Sequence, residues 1–207
     1  MSLGHLFLLP KFLGQIFASE VFDEKPAAVA IGGNTDDIAK VISVMMSGDR
    51  FRPYVTRDMV GIEIGGALKN IIAIAAGISD GMGLGSNARA ALITRGLGEI
   101  ARFGEALGAD PQTFMGLSGM GDLVLTCTDD QSRNRRFGIA LTRLGAVENA
   151  KNEVGELVEG ASTAVAVNDM AVRLEIEIPI ISQVAAILNG DSSPEDAVRK
   201  LLMRELV

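Results

Sequence analysis

Hydrophobic and polar positions alternate in two different ways along this chain. Up to about Thr56 the pattern is short and mixed. Ala28-Val-Ala-Ile31 reads as a buried strand, Gly32-Gly33-Asn34 as a turn, and Thr35 as the N-cap of a helix through Met46. Phe51 to Val55 follows as a second short strand. From Asp58 onward the periodicity is helical. Asp58 caps a long apolar helix to about Ser79. Asn87 opens an amphipathic helix to Leu107, with Gly108 as its left-handed stop. Asp110-Pro111 begins a short helix, and another carries Asp122 to Thr126. Helices are then expected over Gln131–Leu144 (ended by Gly145), Val147–Val154, Ser162–Leu174 and Pro179–Leu188, and from Ser193-Pro194 to Glu205. The expected fold is mainly α: a helical domain over 57–207, preceded by a small α/β remnant over 1–56.

Composition narrows the chemistry. The 207 residues are 48% hydrophobic, with 19 Lys+Arg against 26 Asp+Glu. A core of useful size is available, and a net charge of −7 argues against a general nucleic-acid binder. Cys127 is the only cysteine and His5 the only histidine. No disulfide, zinc site or Ser–His–Asp triad can be assembled from them, and no metal site is expected. Catalysis would fall to Lys, Asp/Glu, Ser/Thr, Asn and Arg. The lone cysteine fits a reducing, cytoplasmic setting. The longest wholly apolar run, Ile71 to Ile78, has eight residues, well short of the roughly 20 that a membrane span needs. The first ten residues lack a basic stretch and read as neither signal peptide nor anchor.

Three places could carry chemistry. Lys69 and Asn70 are the only polar residues between Ile64 and Ile78. An ammonium in such a helix snorkels out, closes a salt bridge, or sits desolvated in the state that suits proton transfer. Gly65 and Gly66, one turn earlier, permit close approach of a backbone or a ligand. The second place is Asp129-Asp-Gln-Ser-Arg-Asn-Arg-Arg136, where Asp129 or Asp130 looks like an N-cap and Ser132, Arg133 and Asn134 fall in the first turn. Free N–H groups and the dipole attract an anion there, although a solvated basic face paired with the two aspartates explains the same residues. The third is Asp122, with Thr126 one turn on. It is either a partner for a buried lysine or a helix cap. Gly81-Met-Gly-Leu-Gly85 and Gly32-Gly33 lack the G-x-G-x-x-G spacing, so no dinucleotide fingerprint is present.

Taken in order, Gly65-Gly-Ala-Leu-Lys-Asn70, Asn87-Ala-Arg-Ala-Ala-Leu-Ile-Thr-Arg-Gly96, Gly121-Asp-Leu-Val-Leu-Thr-Cys127, Ser132-Arg-Asn-Arg-Arg-Phe137 and Val158-Glu-Gly160 resemble the C-terminal half of bacterial NAD(P)-dependent glycerol-3-phosphate dehydrogenase. The resemblance runs from about Phe17 to the C-terminus. It implies the helical domain of the 6-phosphogluconate dehydrogenase-like superfamily. It further implies reversible reduction of dihydroxyacetone phosphate to sn-glycerol 3-phosphate, with NAD or NADP, for phospholipid synthesis. By position, Lys69 matches the family's general acid/base. Asn70, Asp122, Thr126 and Gly14 match residues around the substrate, and Ser132, Arg133 and Asn134 match its phosphate site. Ala18, Arg133, Leu157 and Glu159 match cofactor contacts.

Two departures accompany the resemblance. Gly14-Gln-Ile-Phe-Ala18 carries Ile16 where the family has a hydroxyl residue. The Rossmann half with its glycine fingerprint is absent, so the main cofactor-binding half is expected to be missing from a truncated or trimmed chain. Turnover by this chain alone is then not expected, and exposed apolar surface is expected near Val29 and Val55. A non-catalytic helical dimerisation or phosphometabolite-binding module is the competing reading. Expected partners are a small phosphorylated substrate and, under that second reading, another copy of the chain. Neither nucleic acid nor a membrane span is expected.

Overall fold

The computed structural model describes residues 11–13, 18–33 and 36–203. Gly14, Ile16, Asn34, Thr35 and Glu205 lie outside that set, and so do the readings placed on them. Three strands form one small sheet in the order β1 (Lys11–Leu13), β2 (Ala27–Gly32), β3 (Phe51–Thr56). β2 and β3 run parallel, with Ala27 opposite Phe51 and Gly32 opposite Thr56. β1 pairs antiparallel with β2, Phe12 opposite Ile31. That third strand was not anticipated, because three residues are too few to show a period. α1 (Ala18–Phe22) precedes β2, and α2 (Asp36–Met46) makes the crossover to β3.

The expectation of exposed apolar surface at Val29 is wrong. Val29, Ile31 and Ala39 form a separate small core, with Ile42 and Phe51 packed against it. One crossover helix suffices to cover one face of so small a sheet. Val55 and Tyr54 are exposed as expected, and the outer face of α2 adds Val41, Val44 and Met45. The outer edge of β3 is blunted: Pro53 has no N–H to offer, and its carbonyl accepts from Ser43 Oγ at 3.2 Å.

Everything after β3 is helical and organised around α3 (Met59–Gly81). Asp58 caps α3 by accepting from the Gly61 N–H at 2.8 Å, as its sequence position suggested. α4 (Gly85–Ala106) doubles back along α3 and starts two residues earlier than expected. α5 (Pro111–Phe114) begins at the Asp110-Pro111 signal. A π-helical turn, Leu117–Gly121, then leads into α6 (Asp122–Thr128). α7 (Arg133–Leu144), α8 (Val147–Val154), α9 (Glu159–Arg173), α10 (Pro179–Leu188) and α11 (Pro194–Leu202) complete the described chain. Gly108 and Gly145 adopt the left-handed conformation predicted for their helix ends, with φ of 88° and 68°.

α3 alone among the described helices has the length and apolar character of a membrane span, but most of that stretch is buried inside the fold. Ile71, Ile72, Ala73 and Ile74 are fully buried. A helix apolar on nearly all sides is a core helix when others surround it. α3 and α7 lie parallel, because Asn70, Gly77 and Gly81 meet Asn134, Gly138 and Thr142 in the same order. Their backbones touch at two glycines. A Cβ on Gly77 would sit 2.1 Å from the Arg135 carbonyl oxygen, and one on Gly138 would sit 2.2 Å from that of Ile74. This close crossing brings the first turn of α7 to the middle of α3.

Candidate active site

The middle of α3 holds Lys69 and Asn70, and each reaches a different neighbour. Lys69 Nζ lies 2.6 Å from both carboxylate oxygens of Asp122, at the start of α6. The Asp122 side chain is 4% exposed, while that of Lys69 keeps 20%. The pair is therefore closed on the aspartate side and open on the lysine side. An ammonium has three protons, and among the described residues only Asp122 accepts from this one. Thr126 Oγ1 donates to the Asp122 carbonyl at 2.6 Å and lies 3.4 Å from Asp122 Oδ1. Asp122 is thus the lysine partner that the sequence offered as one of two options, and its side chain caps no helix.

Local backbone explains why Asp122 points at Lys69. The π-helical turn before it presses the Ser118 carbonyl onto α3, where a Cβ on Gly65 would come within 2.5 Å of that oxygen. Gly119 meets the backbone of Phe114 in the same way, at 2.1 Å. Gly65 therefore lets the turn before α6 lie close on α3, and Gly119 lets the same turn lie close on α5.

Asn70 connects the other side of α3 to two helix N-termini. Asn134 Nδ2 donates to Asn70 Oδ1 at 2.9 Å, and the Gly160 N–H donates to Asn134 Oδ1 at 2.9 Å. Asn70 Nδ2 also lies 3.4 Å from Glu159 Oε2. The first turns of α7 and α9 therefore converge beside the residue that follows Lys69. The positive dipole ends of two helices meet there, an environment that favours an anion.

The N-cap of α7 is Ser132, whose Oγ accepts from the Arg135 N–H at 3.3 Å; it is not Asp129 or Asp130. Asp129 instead closes the preceding turn by accepting from the Gln131 N–H. The basic run is no uniform solvated face. Arg135 is buried, with Nε 2.9 Å from Asp80 Oδ2 and a second nitrogen on Asp130. Asp80 also accepts from Arg89 on α4, at 2.9 and 3.0 Å. Hydrogen bonds to these two carboxylates hold the guanidinium in its charged form against desolvation. Arg133 and Arg136 remain outside, both sharing Glu156 at 3.4 Å. Of the three arginines, Arg133 is half-buried and directly follows the cap, while Arg136 is exposed. Glu156 and Asp80 were missed in the sequence. Asp80 did carry a signal, since an acid in the last turn of a helix opposes the dipole and needs an outside partner.

Cys127, one turn beyond Leu123 in the same helix, takes no part. It is fully buried, and burial pushes its thiol up to about 12.

The residues expected near a dinucleotide form an outer rim only. Leu157 is 72% exposed, and Glu159 opens α9 with its side chain toward Asn70. Ala18 opens α1, and its neighbour Ser19 donates to Gln131 just before α7, so this segment also lies at the same end. The Gly32-Gly33 turn offers no cradle. A Cβ on Gly32 would meet Ile62 Cδ1 at 2.3 Å and Met59 Sδ at 2.5 Å, so the space is filled by α3 side chains. The residues present fit the periphery of a nicotinamide cofactor and not its pyrophosphate.

The sequence profile of the family described as NAD-dependent glycerol-3-phosphate dehydrogenase, C-terminus, matches residues 58–199. The chain belongs to this family. A glycerol-3-phosphate dehydrogenase [NAD(P)+] from Halorhodospira halophila is 54% identical over 191 residues, covering 92% of this chain and 58% of the relative. The Shewanella pealeana enzyme of the same name is 49% identical over 205 residues, covering 99% and 60%. Among solved structures, glycerol-3-phosphate dehydrogenase from Coxiella burnetii superposes with a TM-score of 0.91 at 46% identity, over 94% of this chain and 60% of that one. The chain thus spans about three fifths of the length of these relatives. The expected family and the mainly helical fold both stand.

Proposed function

We propose that this chain supplies the substrate-binding and acid/base half of a glycerol-3-phosphate dehydrogenase that interconverts dihydroxyacetone phosphate and sn-glycerol 3-phosphate. The observation that carries the reading is the adjacency of two devices on α3. Lys69 is paired with a buried carboxylate on one side, and its neighbour Asn70 is bonded to the first turn of α7 on the other. Residues 57–207 serve as the catalytic domain, and the small sheet over 1–56 as what this chain holds of the nucleotide domain.

In this reading the substrate phosphate sits on the first turn of α7. Ser132 and Asn134 are buried there, and Arg133 closes over the phosphate with a forked contact. Asn70 and Thr126 line the path toward Lys69. Asp122 holds the Lys69 ammonium by two of its protons, leaving the third for the carbonyl oxygen of the substrate. Lys69 donates that proton as the carbonyl is reduced and takes it back in the reverse direction. NADH or NADPH, when bound, would supply the hydride for that reduction, and the oxidised cofactor would take it back in the reverse direction. Arg133, Leu157, Glu159 and Ala18 would hold its outer edge, with Glu159 suited to ribose hydroxyls. The setting is cytoplasmic, and the product feeds glycerophospholipid synthesis.

The experiment joins the nucleotide-binding portion of the Halorhodospira halophila relative to this chain and assays oxidation of reduced cofactor by dihydroxyacetone phosphate. The fused protein is expected to turn over and this chain alone is not, because among the described residues no glycine-rich strand-to-helix turn is available to seat a pyrophosphate and so orient the nicotinamide. An inactive, correctly folded fusion would contradict the assignment.

A further inference from the structure

The two residues that follow Arg133 tie α7 to α3 at two separate points. Asn134 reaches Asn70 in the middle of α3, and Arg135 reaches Asp80 in its last turn. Along the helix those two anchors lie about 15 Å apart, at 1.5 Å per residue. Arg135 Nε and Nη2 lie 2.9 and 2.7 Å from the same Asp80 oxygen, and Nη1 pairs with Asp130. The Asp80 and Arg135 side chains keep only 13% and 10% exposure. Arg89 on α4 donates to both oxygens of Asp80, so three helices share one carboxylate.

The chemistry assigned to Lys69 uses neither Asp80 nor Arg135, and as plain packing they are a poor choice. A guanidinium in the first turn of a helix opposes the dipole, and an ion pair this enclosed loses most of its attraction to desolvation. Methionine at 135 would fill the space at less cost. What the ion pair adds is direction. Arg135 grips the turn that carries the α7 cap at both ends. Its backbone N–H donates to Ser132 Oγ at 3.3 Å, and its guanidinium holds Asp130, two residues earlier. Ser132 Oγ serves there as an acceptor, so the hydroxyl keeps its own proton for an outside oxygen.

We propose that Asp80, acting through Arg135, is a positioning residue for the phosphate site. The inference rests on placing the substrate phosphate at the first turn of α7. Asp80 and Arg135 touch no substrate. Together with the Asn70–Asn134 bond, they fix where along α3 that first turn sits. They thereby set the span between the phosphate donors and Lys69, and they aim the Ser132 hydroxyl. Asp80→Asn separates positioning from electrostatics by sign. If only the field mattered, removing a negative charge behind the site would strengthen its hold on an anion. Loss of an anchor weakens that hold.

The test titrates sn-glycerol 3-phosphate into the 207-residue chain and its variants by calorimetry. The Ser132 amide signal marks the site, and circular dichroism melts report the fold. Asp80→Asn and Arg135→Met are each expected to bind about tenfold more weakly, the order of one charge-assisted hydrogen bond. Arg135→Met leaves Asp80 paired with Arg89 and strands no buried charge, so its melt is expected to stay close to the parent's. Arg135→Lys keeps the charge but cannot span both carboxylates, and its affinity is expected to fall between the two. In the fused protein, Asp80→Asn should raise the KM for dihydroxyacetone phosphate about tenfold and leave kcat within about twofold. Unchanged or tighter binding by Asp80→Asn would overturn the proposal and leave the phosphate site standing. If Asp80→Asn does not fold, Arg135→Lys decides, and parental affinity there would overturn the proposal. A parent chain with no saturable shift at Ser132 would overturn both the site and its positioning.

Discussion

α2 leaves Val41, Val44 and Met45 more than half exposed, whereas α3 hides Ile71, Ile72 and Ile74 completely. The two helices differ in pattern as well as in surroundings: α2 carries Asp36, Asp37, Lys40 and Ser43 in its eleven residues, and α3 only Lys69 and Asn70 between Ile64 and Ile78. α2 covers one face of a three-stranded sheet and has nothing on its outer side among the described residues. α3 is enclosed by α4, α6, α7, α9 and α10, and its only polar side chains between Ile64 and Ile78 are Lys69 and Asn70, which reach Asp122 and Asn134. Burial on all sides is what makes a lysine there informative, because every other way of placing it would cost more. The same lysine on α2 would be a surface residue with no story.

That contrast can be broken most forcefully at the α3–α7 crossing. Gly138→Leu should destabilise the helical region by more than about 3 kcal/mol or prevent folding, because its Cβ would come within 2.9 Å of three backbone atoms of α3. A thermal melt within a few degrees of the parent would show that the two helices are not locked there. In the fused protein described above, Lys69→Ala should lower the catalytic rate by roughly 100-fold or more while the circular dichroism spectrum is unchanged. Near-parental turnover would remove Lys69 from acid/base chemistry. Arg133→Ala should raise the apparent KM for dihydroxyacetone phosphate several-fold more than Arg136→Ala, although both share Glu156. Equal effects would mean a general electrostatic field and no defined phosphate pocket.

A pH series sharpens the picture of the helical core. Cys127 is raised from about 9 to about 12 by burial, so above pH 9 the unfolded chain releases a proton that the folded chain keeps. The sign is then a loss of stability as pH rises from 9 to 12, by at most about 1.4 kcal/mol per pH unit. Cys127→Ala should remove that part of the slope in urea melts, and an unchanged slope would mean that the thiol is not so enclosed. The smallest effect belongs to α2: Val44→Lys should change stability by less than about 0.5 kcal/mol, since this side chain is 75% exposed. A loss of several kcal/mol would show that the outer face of α2 is covered after all.

Much of this was legible from local signals. Asp58, Asp110-Pro111, Ser193-Pro194, Gly108 and Gly145 each mark a helix end through chemistry confined to a few residues, and all five mark ends in the structure. Lys69 stood out because its neighbours are apolar over four turns. What a sequence does not display is which residues meet across the fold. Asp122 as the partner of Lys69 was one of two options, since capping is local and pairing over 53 residues is not. The α7 cap was misplaced by two or three residues, because Asp129, Asp130 and Ser132 are all good caps and only the turn geometry selects among them. Arg135 looked like its neighbours until Asp80 and Arg89 arrived from two other helices. The strand pattern over Ala28–Ile31 already signalled burial of Val29, and the expectation of bare surface there failed because a remnant sheet was credited with two uncovered faces.

The central claim is that α3 places an acid/base lysine beside a phosphate site at the start of α7. Titration of sn-glycerol 3-phosphate into the isotopically labelled 207-residue chain, followed by amide and side-chain NMR, tests it without needing turnover. The account predicts saturable shifts at the amides of Ser132, Arg133 and Asn134 and at the side-chain amide of Asn70, with a matching shift at the Lys69 ammonium. Phosphate-induced shifts that leave Asn70 and Lys69 untouched, or that gather elsewhere in the chain, would contradict it.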